Sequence, residues 1–147
     1  MRYVVGRANW LGMEGSLSDT ANSQYSKWDE IEVEKLSSLI GRQFVVGNNL
    51  MLARVYLKKG AHVPEHHHPN EQITYILEGA LKFRIEGKEI VVGAGEVLCI
   101  PSNMPHEAFA LEDTVDLDVF NPPRQDWINR DDSYLRSEPT AKANGEE

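Results

Sequence analysis

Between Phe44 and Phe120, Gly, Pro and Asn divide the chain into short apolar-rich stretches at roughly ten-residue spacing, and this restricts the fold more than any other feature. "ALKFRIEG" (80–87) sets Leu81, Phe83 and Ile85 against Lys82, Arg84 and Glu86, the period of two of a strand with one buried face. "NLMLARVYL" (49–57) does the same in its later half, with Ala53, Val55 and Leu57 against Arg54, Tyr56 and the following Lys58. "FVVG" (44–47), "QITYILEG" (72–79), "EIVV" (89–92), "EVLCIP" (96–101) and "TVDLDVF" (114–120) read as further strands, and "EGKE" (86–89) as a tight hairpin turn. Cys99 follows the apolar pattern of its strand and reads as core. Only "DEIEVEKLSSLI" (29–40) competes as a helix, and it reads almost as well as an edge strand. Many short strands so spaced predict an all-β antiparallel sandwich or barrel.

At 147 residues the chain suits one domain. Residues 1–27 are rich in Gly, Ser and Asn without a lasting period, and read as a loosely ordered segment or an arm onto a neighbouring subunit. Residues 28–130 form the expected folded domain, and 131–147 a polar tail. The net charge of −8, from 15 basic and 23 acidic residues without a basic stripe, excludes nucleic acid as a partner. The lone Cys99 excludes an internal disulfide and fits a reducing compartment. No apolar run resembles a signal peptide or reaches membrane-spanning length, so a cytoplasmic protein without a membrane partner is expected.

Four of the five histidines fall within seven positions, in "HVPEHHHPNEQ" (62–72). On a strand His66 and His68 share a face while His67 points away, and two imidazoles on one face can reach one divalent ion. Gln72 joins that face once the chain turns at "PNE", and "PSNMPHEAF" (101–109) offers His106 after a proline-braced turn. Three imidazoles and an amide oxygen make an open, borderline-soft site. The alternative is a run of solvated polar residues, to which His62 and His67 are assigned. Glu71 is a rival to Gln72, reached by a shift of one residue.

These stretches carry a resemblance. Gly60 to Gly79, "GAHVPEHHHPNEQITYILEG", resembles the first cupin motif, and Gly95 to His106, "GEVLCIPSNMPH", the second, with Asn103 where Gly is usual. The resemblance implies a cupin double-stranded β-helix, the jelly-roll barrel, with one divalent transition metal (Ni, Zn, Fe or Mn) at its mouth on His66, His68, Gln72 and His106. Gln72 stands where most metal-binding cupins have Glu. An all-neutral donor set leaves the ion's double charge uncompensated and favours anions.

In "DTVDLDVFNPPRQDW" (113–127), Val115, Leu117 and Val119 form one strand face and Asp116, Asp118 and Phe120 the other. The polar face either meets solvent or lines a pocket. Arg124 follows a Pro-Pro turn, where a guanidinium is placed to clamp a carboxylate bidentately. With "HHHPNEQITYILEG" and "IPSNMPHEA", the segment "LDVFNPPRQDW" resembles the pectin-degradation cupins of the KdgF family, across roughly residues 45–128. That resemblance implies Asp118, Phe120 and Arg124 as pocket residues, and linearisation of 4,5-unsaturated uronates as the reaction. Asp118 would then be the base, Phe120 a surface for the sugar's apolar face and Arg124 the partner of a small anionic substrate. Rival readings are an iron- or manganese-dependent dioxygenase or other lyase, and a non-catalytic ligand sensor. A homodimer through sheet packing or edge pairing is the expected assembly.

Overall fold

The computed structural model describes residues 23–138. Ten strands alternate through two antiparallel sheets: β1 (Glu34–Lys35), β2 (Ile40–Val46), β3 (Met51–Leu57), β4 (His62–His66), β5 (Glu71–Glu78), β6 (Ala80–Ile85), β7 (Lys88–Gly93), β8 (Val97–Ile100), β9 (His106–Ala110) and β10 (Thr114–Asn121). One sheet runs β1-β2-β3-β10-β5-β8 and the other β4-β9-β6-β7, which is the all-β jelly roll expected. A one-turn helix α1 (Gln125–Ile128) and 3₁₀ turns at Trp28–Glu30 and Ser133–Leu135 complete the described residues.

The strands follow their alternation. Met51, Ala53, Val55 and Leu57 on β3 and Leu81 and Phe83 on β6 point inward and build the core with Ile76, Val92 and Ile100. The β6–β7 hairpin turns on Glu86 and Gly87, both at positive φ (53° and 77°), the two-residue turn that matches strand twist. Segment 29–40 is not helical. After the 3₁₀ turn it gives only the short edge strand β1, then a tight turn in which the Leu36 and Ser37 amides donate to the Ile40 carbonyl.

Two parts of the large sheet reverse the usual amphipathicity. On β10 the buried side chains are Thr114, Asp116, Asp118 and Phe120, while Val115, Leu117 and Val119 face out half-exposed. On β5, Gln72, Thr74 and Ile76 are buried, and Ile73, Tyr75 and Leu77 are exposed. Cys99 belongs to the same pattern. It is exposed, opposite Ile73 on the outer face, so the apolar run that suggests a core position marks an apolar exterior instead.

Packed chain continues past residue 130. Asp132 is fully buried, 2.6 Å from the Arg42 guanidinium; Arg136 bonds both Asp132 and Glu34; Leu135 is buried; and the Glu138 carboxylate accepts from Ser38. The polarity that reads as a tail is therefore spent, within residues 131–138, on ion pairs against β1 and β2. Residues 23–27 are exposed, and the rest of the expected N-terminal arm and C-terminal tail lies outside the described residues.

Gly79 closes the β5–β6 turn at φ +88°, and a Cβ there would run into the Asp113 carbonyl oxygen and Thr114. Gly60 has a similar φ, +93°, but a Cβ at that position would meet nothing within 4 Å. Gly79→Ala is therefore expected to cost about 3 kcal/mol in urea unfolding. Gly60→Ala, which meets only the backbone penalty, costs about 1 kcal/mol.

Candidate metal centre

Strand pairing assembles the histidines. His66 ends β4 directly opposite His106, which begins β9, and their ring centroids are 4.3 Å apart. His68 follows just beyond β4, with its ring 5.5 Å from His66 and 5.1 Å from His106. Each Nδ1–H donates to a main-chain carbonyl two residues away: His66 to Pro64 (2.8 Å), His68 to Asn70 (3.1 Å) and His106 to Met104 (2.8 Å). Carbonyls only accept, so Nδ1 carries the proton and Nε2 keeps its lone pair.

Burial disfavours a second proton. It pushes His66 down to about 4, with His106 adding repulsion, and His68 down to about 3, with Arg124 adding more; His106 is lowered too, chiefly by burial. One ring nitrogen from each of the three lies within 4.8 Å of those from the others.

The turn that carries His68 is pinned at several points. Asn70 donates through Nδ2 to the carbonyls of Pro122 (2.6 Å) and Pro123 (3.2 Å). The loop before β9 closes on it, with the Asn103 amide donating to His68 O (2.7 Å) and Ser102 Oγ to Pro69 O (2.6 Å). Asn103 sits at φ +63°, a conformation Asn tolerates better than most residues, which explains its replacing the usual Gly.

Gln72 reaches the cluster from the opposite sheet. Its Nε2 donates to Thr74 Oγ1 (2.8 Å), and Thr74 in turn donates to Asp118 Oδ1 (2.6 Å), so the direction of the chain fixes the amide. Gln72 Oε1 then faces His68 Nε2 at 3.2 Å. With His68 Nδ1 already donating, this contact sets two acceptors against each other, an arrangement relieved by a cation. The neutral imidazole and amide donors fit a divalent transition ion. Glu71, the rival, points to solvent on the outer face. His67 is exposed, and His62 pairs with Glu107 (2.6 Å) and stacks on Phe109, away from the cluster.

The pocket residues lie beside this centre. Asp116 and Asp118 are both at least nine-tenths buried on the inner face of β10. Burial raises both carboxyls. Asp116 rises further through the charge of Asp118 and the hydrogen bond between them, whereas bonds from Asp116 and Thr74 and the charge of Arg124 hold Asp118 back. The two carboxyls face each other on the inner side of β10, and Asp116 Oδ1 has no hydrogen-bond partner.

Phe120 is 1% exposed, edge-on to His68 (5.8 Å) and Trp127 (5.1 Å). Its ring lines the cavity, with its centroid 4.9 Å from the Arg124 guanidinium carbon. Arg124 differs from expectation. Its Nε and Nη2 are paired bidentately with Asp126 (2.9 and 2.8 Å), and Nη2 also reaches Tyr134 Oη (2.6 Å). Only Nη1 is left for a ligand, so the bidentate clamp on a substrate is replaced by a single donor.

Together these groups line a cavity of ≈ 60 Å³, whose wall also includes Arg42, Trp127, Leu57, Leu81 and Phe83. Thr74 and Asp116 could have been singled out from sequence, since each is two residues along a strand from a selected site residue. Asp126, Trp127 and Tyr134 carried no such signal.

The Cupin domain family model matches residues 53–121. The pectin degradation protein KdgF of Dickeya dadantii is 31% identical over 103 residues, covering 68% of this chain and 94% of the relative. The structure of KdgF from Halomonas sp. superposes with a TM-score of 0.64 at 30% identity, covering 67% of this chain and 94% of that one. An RmlC-like cupin from Shewanella frigidimarina gives 0.67 at 26% identity, with 72% and 96% covered. The chain is a small cupin and belongs to the family of the pectin degradation protein KdgF.

Proposed function

We propose that the protein is a metal-dependent cytoplasmic enzyme that linearises 4,5-unsaturated uronates, opening the sugar ring and converting the enol so formed to a keto acid. The observation that supports this most is the meeting, in one cavity, of neutral imidazole donors, a buried carboxylate and an unpartnered guanidinium nitrogen. The kinship with proteins named for pectin degradation agrees with it.

His66, His68, Gln72 and His106 would hold the ion, which supplies Lewis-acid polarisation and stabilises developing charge on oxygen. Arg124 Nη1 binds the uronate carboxylate. A carboxylate oxygen of Asp118 accepts the anomeric hydroxyl proton as the ring opens, then returns a proton to carbon as the enol becomes a ketone, so that substrate and product are isomers. The Thr74 hydroxyl, donating to Asp118, holds that carboxylate against the substrate. Phe120 and Trp127 keep His68 and Arg124 in position and exclude water.

The outer face of the large sheet supports a homodimer. Cross-strand rows Leu52–Val119–Ile73–Cys99 and Leu117–Tyr75–Val97 make a continuous apolar surface, with Ile73, Tyr75 and Val97 among its most exposed members. A second copy laid face to face buries it.

Three outcomes are expected. Nickel or zinc at about a hundredfold excess over its Kd stabilises the protein by about 2.7 kcal/mol in thermal unfolding, and His66→Ala and His106→Ala abolish that gain. Asp118→Asn lowers kcat on unsaturated galacturonate by roughly 10²–10⁴-fold with metal content unchanged, measured as loss of the substrate's ultraviolet absorbance. Retained turnover would remove Asp118 as the base, and turnover that requires oxygen would favour a dioxygenase. Val97→Glu converts a dimer to a monomer in light scattering; an unchanged mass would place the contact elsewhere.

A further inference from the structure

Past the helix α1, residues 131–138 form a strap that closes one side of the cavity and lies wholly beyond the part of the chain matched by the Cupin family model. Its anchor is the buried ion pair between Asp132 and Arg42, reinforced by Arg136 on Glu34. What the strap delivers is Tyr134. The ring of Tyr134 lies 4.6 Å from that of His66, and its hydroxyl accepts from Arg124 Nη2 (2.6 Å) and, more distantly, from Trp127 Nε1 (3.5 Å).

We infer that Tyr134 is a ligand-contacting residue, whose hydroxyl donates to the carboxylate of a small sugar acid bound beside Arg124. The inference rests on the uronate reading above. A tyrosine hydroxyl has one proton to give. Here both contacts are donated to the oxygen, and among the described residues no acceptor takes its own proton. Arg124 Nη1 is likewise unpartnered among the described residues, since Nε and Nη2 are used by Asp126.

The geometry of the guanidinium puts Nη1 within about 5 Å of the Tyr134 oxygen, a separation that the two oxygens of one carboxylate bridge. The two free donors thus replace the two-pronged grip that Asp126 takes away from Arg124. Tyr134, Arg124, His66 and His106 line the same cavity, so a ligand bound beside the imidazoles meets both donors.

The test is Tyr134→Phe in the full-length, metal-loaded protein. The ring stays against His66, and Arg124 keeps both bonds to Asp126, so the fold and the guanidinium are retained; an unchanged thermal midpoint checks this. Galacturonate, a saturated uronate that binds without reacting, is titrated while the Trp127 indole N–H resonance is followed. The dissociation constant is expected to rise about tenfold in the variant, as for loss of a hydrogen bond to a charged group. On unsaturated galacturonate, KM rises by a similar factor with kcat changed less, the signature of a contact made in both ground and transition states.

Equal affinity of the two proteins for galacturonate, or no binding by the wild type, overturns the inference. If the wild type binds galacturonate tenfold more tightly than the variant but turns over no unsaturated uronate, the linearisation reading falls and the Tyr134 assignment stands.

Discussion

The hydrogen-bond chain that runs from Gln72 through Thr74 to Asp118 determines how the rest of the site is arranged. A buried carboxylate needs donors, and Asp118 takes a short one, 2.6 Å, from the Thr74 hydroxyl. Thr74 has then spent its proton and must accept, which turns the amide nitrogen of Gln72 toward it and the amide oxygen toward His68. Reverse any link and Gln72 would present N–H groups to the imidazole lone pairs. The orientation of a candidate metal donor on β5 is thus set by a carboxylate on β10, and the strand pairing Thr74↔Asp118 makes that possible. The same pairing sets Thr74 and Asp118 side by side on the inner face, with Gln72 and Asp116 further along the same strands.

The strap solves a related problem at the other wall. Arg42 is 1% exposed on β2, and a guanidinium that deep needs compensation close by. Asp132 supplies it at 2.6 Å and Glu34 at 3.2 Å, while the guanidinium lies 4.5 Å from the centre of the Trp127 ring. Arg124 lies 4.6 Å from the same ring. Trp127 therefore lies between two buried cations, both in the cavity wall and one of them also holding the strap. Removing the strap would leave Arg42 without Asp132, so the pocket wall and the stability of the barrel end are not separable.

How much of this is legible in the sequence depends on whether the relevant neighbours are close in the chain. Alternation in "ALKFRIEG" and "NLMLARVYL" identifies β6 and β3, and the spacing of His66, His68 and Gln72 identifies three side chains that do meet. Alternation separates the two faces of β10 but does not say which one is inside, because that depends on what the opposite sheet presents. For the same reason the apolar pattern puts Cys99 in the core, when it lies on the outer face. Arg124 is recognisable as a pocket residue, yet its partner Asp126, only two residues on, changes what it can do. The strap is hidden most completely. Its burial rests on pairs a hundred residues apart, such as Glu34 with Arg136, and a polar run with distant partners looks the same in sequence as one without them.

The choice of an amide at position 72 acquires a reason once charges are counted around the cavity. Burial disfavours a second proton on the imidazoles, Gln72 is neutral, and burial beside Asp118 pushes the Asp116 carboxyl up. Arg124 is balanced by Asp126. With one proton between Asp116 and Asp118, a divalent ion on these donors would meet one nearby negative charge and leave one positive charge unbalanced. A monocarboxylate cancels it. A glutamate at position 72 would have brought the empty pocket to neutrality and removed the attraction, at a depth where each unpaired charge is costly to bury. The neutral ligand set, the self-neutralised Arg124 and the raised Asp116 carboxyl thus act together in favour of a bound anion.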